Sequence, residues 1–220
     1  MRRYLQGLAA VLLVLAVVSP AIAQREGRFG PRTRVGVDVS EWSSDTATDV
    51  ENGILPIGGS GQINGEFVRA RFSGIEIAIR AQERFFGPIV PRRSRDVGVY
   101  RADVGESEPG LATWNYDWHV DLRNARGPFR DVTLDDYDLF LVTNIVGRDD
   151  TLFGLPMPLN LKFDDDSFPP GVVLYQGSFN PNFGNSIFDQ FEARNYRFTL
   201  VLQPKGEGQP ISVSMRVRVR

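Results

Sequence analysis

Thr113-Trp114-Asn115-Tyr116-Asp117-Trp118-His119-Val120-Asp121-Leu122-Arg123 alternates without a break. On an extended chain Trp114, Tyr116, Trp118, Val120 and Leu122 fall on one side, and Asn115, Asp117, His119, Asp121 and Arg123 on the other. At 100° per residue a helix would scatter that apolar set around its circumference, so the segment is a strand. The pattern predicts a strand buried on one face and wet on the other. The aromatic stripe is then core packing rather than an exposed platform for sugar rings.

The same period recurs on both sides. Ile75, Ile77 and Ile79 oppose Glu76 and Arg80. Tyr137, Leu139, Leu141, Thr143 and Ile145 oppose Phe140 and Val142, which makes residues 137–145 apolar on both faces and places them mid-sheet. Alternation also marks residues 157–163, 172–175 and 196–202, and Ile211, Val213, Met215, Val217 and Val219 against Ser212, Ser214, Arg216, Arg218 and Arg220. Residues 67–72 form a further strand, residues 34–40 alternate weakly, and the Gly-rich residues 53–64 read as a loop. Short strands punctuated by Gly, Pro, Asn and Asp, with no helical pattern after residue 23, predict an all-β fold. The expected architecture is an antiparallel β-sandwich of immunoglobulin-like or jelly-roll type. Charged faces and short strands argue against an outer-membrane barrel.

At the N-terminus Arg2 and Arg3 precede an apolar run at residues 8–18, then Ser19-Pro20 and the small-x-small triplet Ala21-Ile22-Ala23. This layout predicts a signal peptide over residues 1–23, removed before Gln24, with general secretory export favoured over the twin-arginine route. The expected organisation is a signal peptide (1–23), a flexible N-terminus (24–32) and a single sandwich domain (33–220), exported to the periplasm or beyond. Because residues 1–23 carry two arginines and no acid, the net charge of −2 becomes −4 after cleavage. Cysteine is absent, which excludes disulfides, thiol catalysis and thiolate metal sites. No later apolar segment is long enough to span a bilayer, so no transmembrane segment is expected in the mature chain. Net acidity without basic-aromatic interleaving argues against nucleic acid, and no Walker, Rossmann or HExxH pattern occurs.

Four segments in order carry a resemblance: Gly-Ile-Glu-Ile-Ala-Ile-Arg-Ala (74–81), Trp-Asn-Tyr-Asp-Trp-His-Val-Asp-Leu (114–122), Tyr-Gln-Gly-Ser-Phe-Asn-Pro-Asn-Phe-Gly-Asn (175–185) and Tyr-Arg-Phe-Thr-Leu (196–200). Together they resemble a family of exported bacterial β-rich proteins that often carry a PEP-CTERM sorting tail. The resemblance implies a β-rich exported domain and assigns no catalytic residue. The Pro-Glu-Pro motif, apolar tail and basic cluster of that system are absent from this sequence, so anchoring by it is not expected.

Candidate sites are few. His119, the one histidine, lies between Asp117 and Asp121 on its face, a set suited to a metal or a tuned base, although a solvated polar face is the favoured reading. Trp42 is the candidate for an exposed stacking platform. Asn180, Asn182 and Asn185 form a candidate ligand-contacting loop, with a self-bonded structural loop as the alternative. Asp164 and Asp166, beside Asp165 and Ser167, are candidate calcium ligands, set against a hydrated acidic turn. Asp149-Asp150 and Asp135-Asp136 are similar acidic turns. Arg216, Arg218 and Arg220 form a basic stripe for acidic polysaccharide or lipid phosphates, with a wet strand face that blocks edge pairing as the favoured alternative. These features favour a non-enzymatic binding or structural module at the cell surface, with extracellular polysaccharide or cell-surface components as partners. The alternative is a carbohydrate-active hydrolase using loop carboxylates.

Overall fold

Fifteen strands form among the residues that the computed structural model describes: 32–37, 54–58, 66–94, 97–147, 152–162, 169–183 and 188–220. β1 (Arg32–Val37), β2 (Ile54–Gly58), β3 (Glu66–Phe72) and β4 (Ile75–Glu83) come first. The short β5 (Gly87–Pro88) and β6 (Arg92–Ser94) lead into β7 (Val97–Ala102), β8 (Glu106–Glu108) and β9 (Leu111–Ala112). The alternating segment at residues 113–123 forms β10 (Trp114–Asp121). β11 (Tyr137–Val146), β12 (Leu152–Asn160), β13 (Leu174–Phe179), β14 (Asn195–Pro204) and β15 (Ile211–Val219) complete the set.

These strands build a β-sandwich within one unit, Pro31–Arg220. The first sheet runs β1-β3-β4-β10-β13-β2, with β5 paired to the end of β4. The second runs β12-β11-β14-β15-β7-β6, and β8-β9 make a small ribbon. β11 sits inside its sheet, as its two apolar faces predict. Two pairs depart from the antiparallel expectation: β2 lies parallel to β13, and β7 parallel to β15. β2 also falls in the stretch that reads as a loop. An edge strand is held by one ladder only, and its glycine-rich flanks give no alternation to read.

The core lies between the sheets. Ile75, Ile77, Ile79, Trp114, Tyr116, Trp118 and Val120 from the first sheet meet Leu139, Leu141, Phe198, Leu200, Val213, Met215 and Val217 from the second. The Phe198 ring contacts Trp114 at 5.6 Å and Tyr116 at 5.8 Å between centroids, so the stripe on β10 is core. Trp118 lies opposite Gly177 on β13, where its indole covers the bare backbone. A Cβ at Gly177 would stand 1.9 Å from Trp118 Cζ2, so glycine is required for this approach.

Strand directions gather particular loops. The C-terminal ends of β4, β7, β13 and β15 and the N-terminal ends of β10 and β14 share one end of the sandwich. Hydrogen bonds between these loops confirm it: Thr113 Oγ1, before β10, donates to Asp103 O, after β7 (2.7 Å), and Gly105 N donates to Gln190 O, before β14 (2.8 Å). The loops after β3, β10 and β14 lie at the other end.

Candidate anion-binding face

The outward face of β10 was expected to be wet, and here the structure differs. Asn115, Asp117, His119 and Asp121 are buried along with Arg80, Gln82, Gln176 and Ser178. Arg80 and Asp117 are direct partners across β4 and β10, and Arg80 Nε donates to Asp117 Oδ2 at 2.6 Å. Arg80 Nη2 donates to Gln82 Oε1 (3.2 Å), and the guanidinium lies 4.3 Å from the Phe67 ring centroid. Burial pushes the Asp117 carboxyl above its usual range, against the pull of Arg80. Ser178, across the strand pair, lowers that rise without making a well-formed hydrogen bond. Asp121 is bonded by Arg123 through its backbone N–H and its guanidinium. The polar alternation therefore marks a buried layer built on charge pairing, because opposite charges beside one another can leave water together, while Arg80 Nη1, Asp117 Oδ1 and Ser178 Oγ have no hydrogen-bond partner among the described residues.

His119 belongs to the same layer. Gln176 Nε2 donates to His119 Nδ1 at 2.8 Å, which requires an unprotonated nitrogen there. Burial lowers the imidazole pKa to about 3; Asp121 opposes the shift, and Arg123, Arg69 and Arg71 reinforce it. A base so weak and sealed from solvent has no use in general-base catalysis at neutral pH.

The asparagine loop divides. Asn180 is buried, and its Oδ1 accepts from Ala112 N (3.0 Å) while Nδ2 donates to Ala112 O (2.9 Å), Trp114 O (3.2 Å) and Asn115 Oδ1 (3.2 Å). Asn182 is half-buried, accepts from Ala112 N at 3.0 Å and donates to Gln190 Oε1 at 2.6 Å. Both amides are spent on tying β13 to β9 and to the β14 approach. Asn185, Trp42, Asp164, Asp166 and Asp149-Asp150 lie outside the described residues. Asp135 and Asp136 close a short 3₁₀ turn: Asp136 accepts from Thr133 N (2.9 Å), and Asp135 accepts from Gly171 N (2.8 Å). Among the described residues no three histidine or carboxylate side chains converge as a metal site.

The arginine stripe gains company. Its favoured explanation was edge protection, but β15 is flanked by β14 and β7 and has no edge to protect. Register places Arg92, Val99, Arg216, Arg197 and Asn144 in one row across five strands, and Arg101, Arg218 and Asn195 in the next. Neighbours in a row are roughly 4.8 Å apart, and the rows are roughly 7 Å apart. Toward β11 the outward positions Val142, Thr199 and Val201 are buried, whereas Arg92, Arg101 and Arg220 are exposed and Arg218 is half-buried. The positive charge of Arg92 first, then desolvation, then Arg220 and Arg218 lower the Arg101 pKa. Arg92, Arg218 and Arg220 therefore lie close enough to act on Arg101, an arrangement that attracts anions. Beside it, a cavity of about 170 Å³ is lined by Glu83, Ile89, Arg101, Asp103 and Thr113, among others. That volume is below the roughly 300 Å³ of ordinary ligand pockets.

Comparison with protein-family models and with curated proteins found no match. The sequence pattern pointed to Arg216, Arg218 and Arg220 but missed Arg92 and Arg101. Strands as short as β5 and β6 cannot display a period, and which strand lies beside β15 is a tertiary fact. The signal within reach was local: three of the four residues 92–95 are arginine.

Proposed function

We propose that this chain is an exported, non-enzymatic binding module that grips anionic groups of the cell surface on the outer face of its second sheet. The observation that carries this reading is the set Arg92, Arg101, Arg218 and Arg220, with which no carboxylate among the described residues is paired. A guanidinium offers a planar fork of donors that matches carboxylate and phosphate oxygens, and a grid of such forks suits a polyanion better than a single small ion. In a chain of net charge −2 this concentration is local, not compositional. The signal-peptide pattern and the family resemblance support export.

The test is binding of polygalacturonate to wild type and to Arg92→Gln/Arg101→Gln/Arg218→Gln, measured by calorimetry across a salt series. Wild type should bind with an affinity that falls steeply with salt, and the triple variant should lose about tenfold or more. Equal binding by both proteins would sink the reading. Release of reducing ends, abolished by Glu83→Gln or Asp103→Gln in the neighbouring cavity, would instead establish the hydrolase.

A further inference from the structure

Phe85, Phe86, Val90, Val104, Phe183 and Phe191 are the large apolar side chains exposed among the described residues. All six fall at one end of the sandwich. Phe85 and Phe86 form the turn between β4 and β5, and Val90 follows β5. Val104 follows β7, and its N–H donates to Arg220 O at 3.1 Å. Phe183 follows β13, and Phe191 precedes β14 beside Gln190, which accepts from Gly105 N. The described loops at the opposite end expose charged residues such as Arg126, Asp131, Asp135, Lys205 and Glu207 but none of these apolar ones, while the apolar end also exposes Glu83, Asp103, Glu106, Glu108, Asp189 and Glu192. Random surface exposure scatters apolar residues singly; this chain collects them on one tip.

The foremost group is held out by its base. Phe86 is 81 % exposed and Val90 72 %. Phe85 sits at φ 67°, a conformation that a bulky L-residue adopts only when its surroundings impose it. Arg84 N donates to Thr113 O at 2.9 Å, the Arg84 guanidinium lies 4.7 Å from the Phe85 ring centroid, and its Nη2 reaches Glu108 Oε2 at 2.9 Å. Pairing of Gln82 with Pro88 and of Glu83 with Gly87 closes the hairpin below the tip. The arginine grid adjoins it: Arg92 is two residues beyond Val90, and Arg101 shares a cavity wall with Ile89.

The geometry points to this end as a seat on an anionic lipid bilayer, with Phe85, Phe86 and Val90 entering the headgroup–acyl boundary while Arg92, Arg101, Arg218 and Arg220 meet lipid phosphates. A narrow apolar wedge flanked by these arginines matches a layered partner, greasy below and anionic above, and of the acids at this end Glu108 and Glu192 are already paired with Arg84 and Arg194. A protein interface would need a flat patch of roughly 800 Å² instead. The inference rests on the anion-binding reading and names its occupant.

The absence of cysteine allows a unique label. Full-length Phe86→Cys and Lys205→Cys, each carrying a polarity-sensitive fluorophore, are mixed with phosphatidylcholine vesicles with and without phosphatidylglycerol. The label at position 86 should shift blue on anionic vesicles, and the label at position 205 should not. Phe85→Ser/Phe86→Ser on the full chain should weaken binding to anionic vesicles about tenfold or more and leave polygalacturonate binding unchanged. Because residues 1–31 are common to both proteins, the difference reports the tip alone. No shift at position 86, or equal vesicle binding by the serine variant, overturns the insertion and leaves the anion reading standing. A serine variant that turns a dimer into a monomer with vesicle binding intact assigns the tip to a second copy and also overturns it. Tip-dependent vesicle binding without arginine-dependent polygalacturonate binding refutes the anion reading alone.

Discussion

Gly177→Ala tests the closest contact in the core. An added Cβ would lie 1.9 Å from Trp118 Cζ2 and 2.4 Å from both Cε2 and Cη2. Ordinary carbon contacts are about 3.5–4.0 Å, so the indole must withdraw by more than about 1 Å. It has nowhere to go, since the rings of Tyr116, Tyr175 and Phe179 stand 6.0, 6.0 and 5.3 Å from it between centroids. Overpacking of this kind costs about 1–3 kcal/mol, and this contact belongs at the upper end. Trp118→Ala, which empties the same space, should cost about 3–5 kcal/mol. In the double variant the alanine methyl enters the volume that the indole vacated. The combined loss should then fall short of the sum of the single losses by about 1–3 kcal/mol. Urea unfolding followed by far-ultraviolet circular dichroism measures all four proteins without relying on Trp118 fluorescence. A Gly177→Ala midpoint equal to wild type, or strict additivity in the double variant, would refute the packing argument.

Two further buried groups give independent tests. The folded imidazole of His119, at about 3, titrates below the unfolded value of about 6.5, so the unfolded chain holds the extra proton between them. Stability from this group is therefore complete above about pH 6.5 and declines on acidification, by about 2 kcal/mol between pH 7 and pH 5. The raised Asp117 carboxyl acts in the opposite sense, so the readout is the difference between wild type and His119→Gln, whose stability should fall less steeply; parallel pH profiles would refute it. Tyr116 is fully buried and its hydroxyl has no hydrogen-bond partner among the described residues, so Tyr116→Phe should stabilise the fold by about 1 kcal/mol, and a clear loss in urea would show that the hydroxyl is satisfied.

How far the sequence could be read depended on which forces act locally. Strands with a continuous apolar face were legible: β4, β10, β14 and β15, and β11 with two such faces, sit where alternation puts them, within the usual uncertainty at the ends. The environment of the polar face of β10 was not, because Asp117 or His119 looks the same in sequence whether it faces water or an arginine. The difference lies in Arg80, Gln176 and Arg123, and two of those three come from other strands. Asn180 was visible as a loop residue, but the chain could not show that its amide would be used up on Ala112, 68 positions away. The apolar tip was the least legible feature. Phe85, Phe86, Phe183 and Phe191 read as ordinary hydrophobic residues until strand directions bring their loops to one end.

The buried ion pair also bears on how that tip is positioned. On the inner face β4 presents Ile75, Ile77, Ile79 and Ala81 to the aromatic stripe of β10, a nearly uniform ridge. A slip of one residue is forbidden, since it would turn Arg80 into the core. A slip of two keeps the apolar set inward, replacing Ile79 with Ile77 or Ala81 opposite Trp118, so packing alone discriminates weakly. The outer face does discriminate. After such a slip Arg80 would face Asn115 or His119, and Asp117 would face Ala78 or Gln82, leaving a buried guanidinium and a buried carboxylate apart. Separating a buried pair costs about 3–5 kcal/mol, and it does so in either direction of slip, including the one that leaves an isoleucine opposite the indole. We therefore read Arg80 and Asp117 as a registration device for the central strand pair. β4 runs straight into the Arg84–Phe86 turn, so the register also sets how far that turn projects. A two-residue error would move it by roughly 7 Å, enough to withdraw Phe85 and Phe86 from the flanking arginines or to push them clear of those.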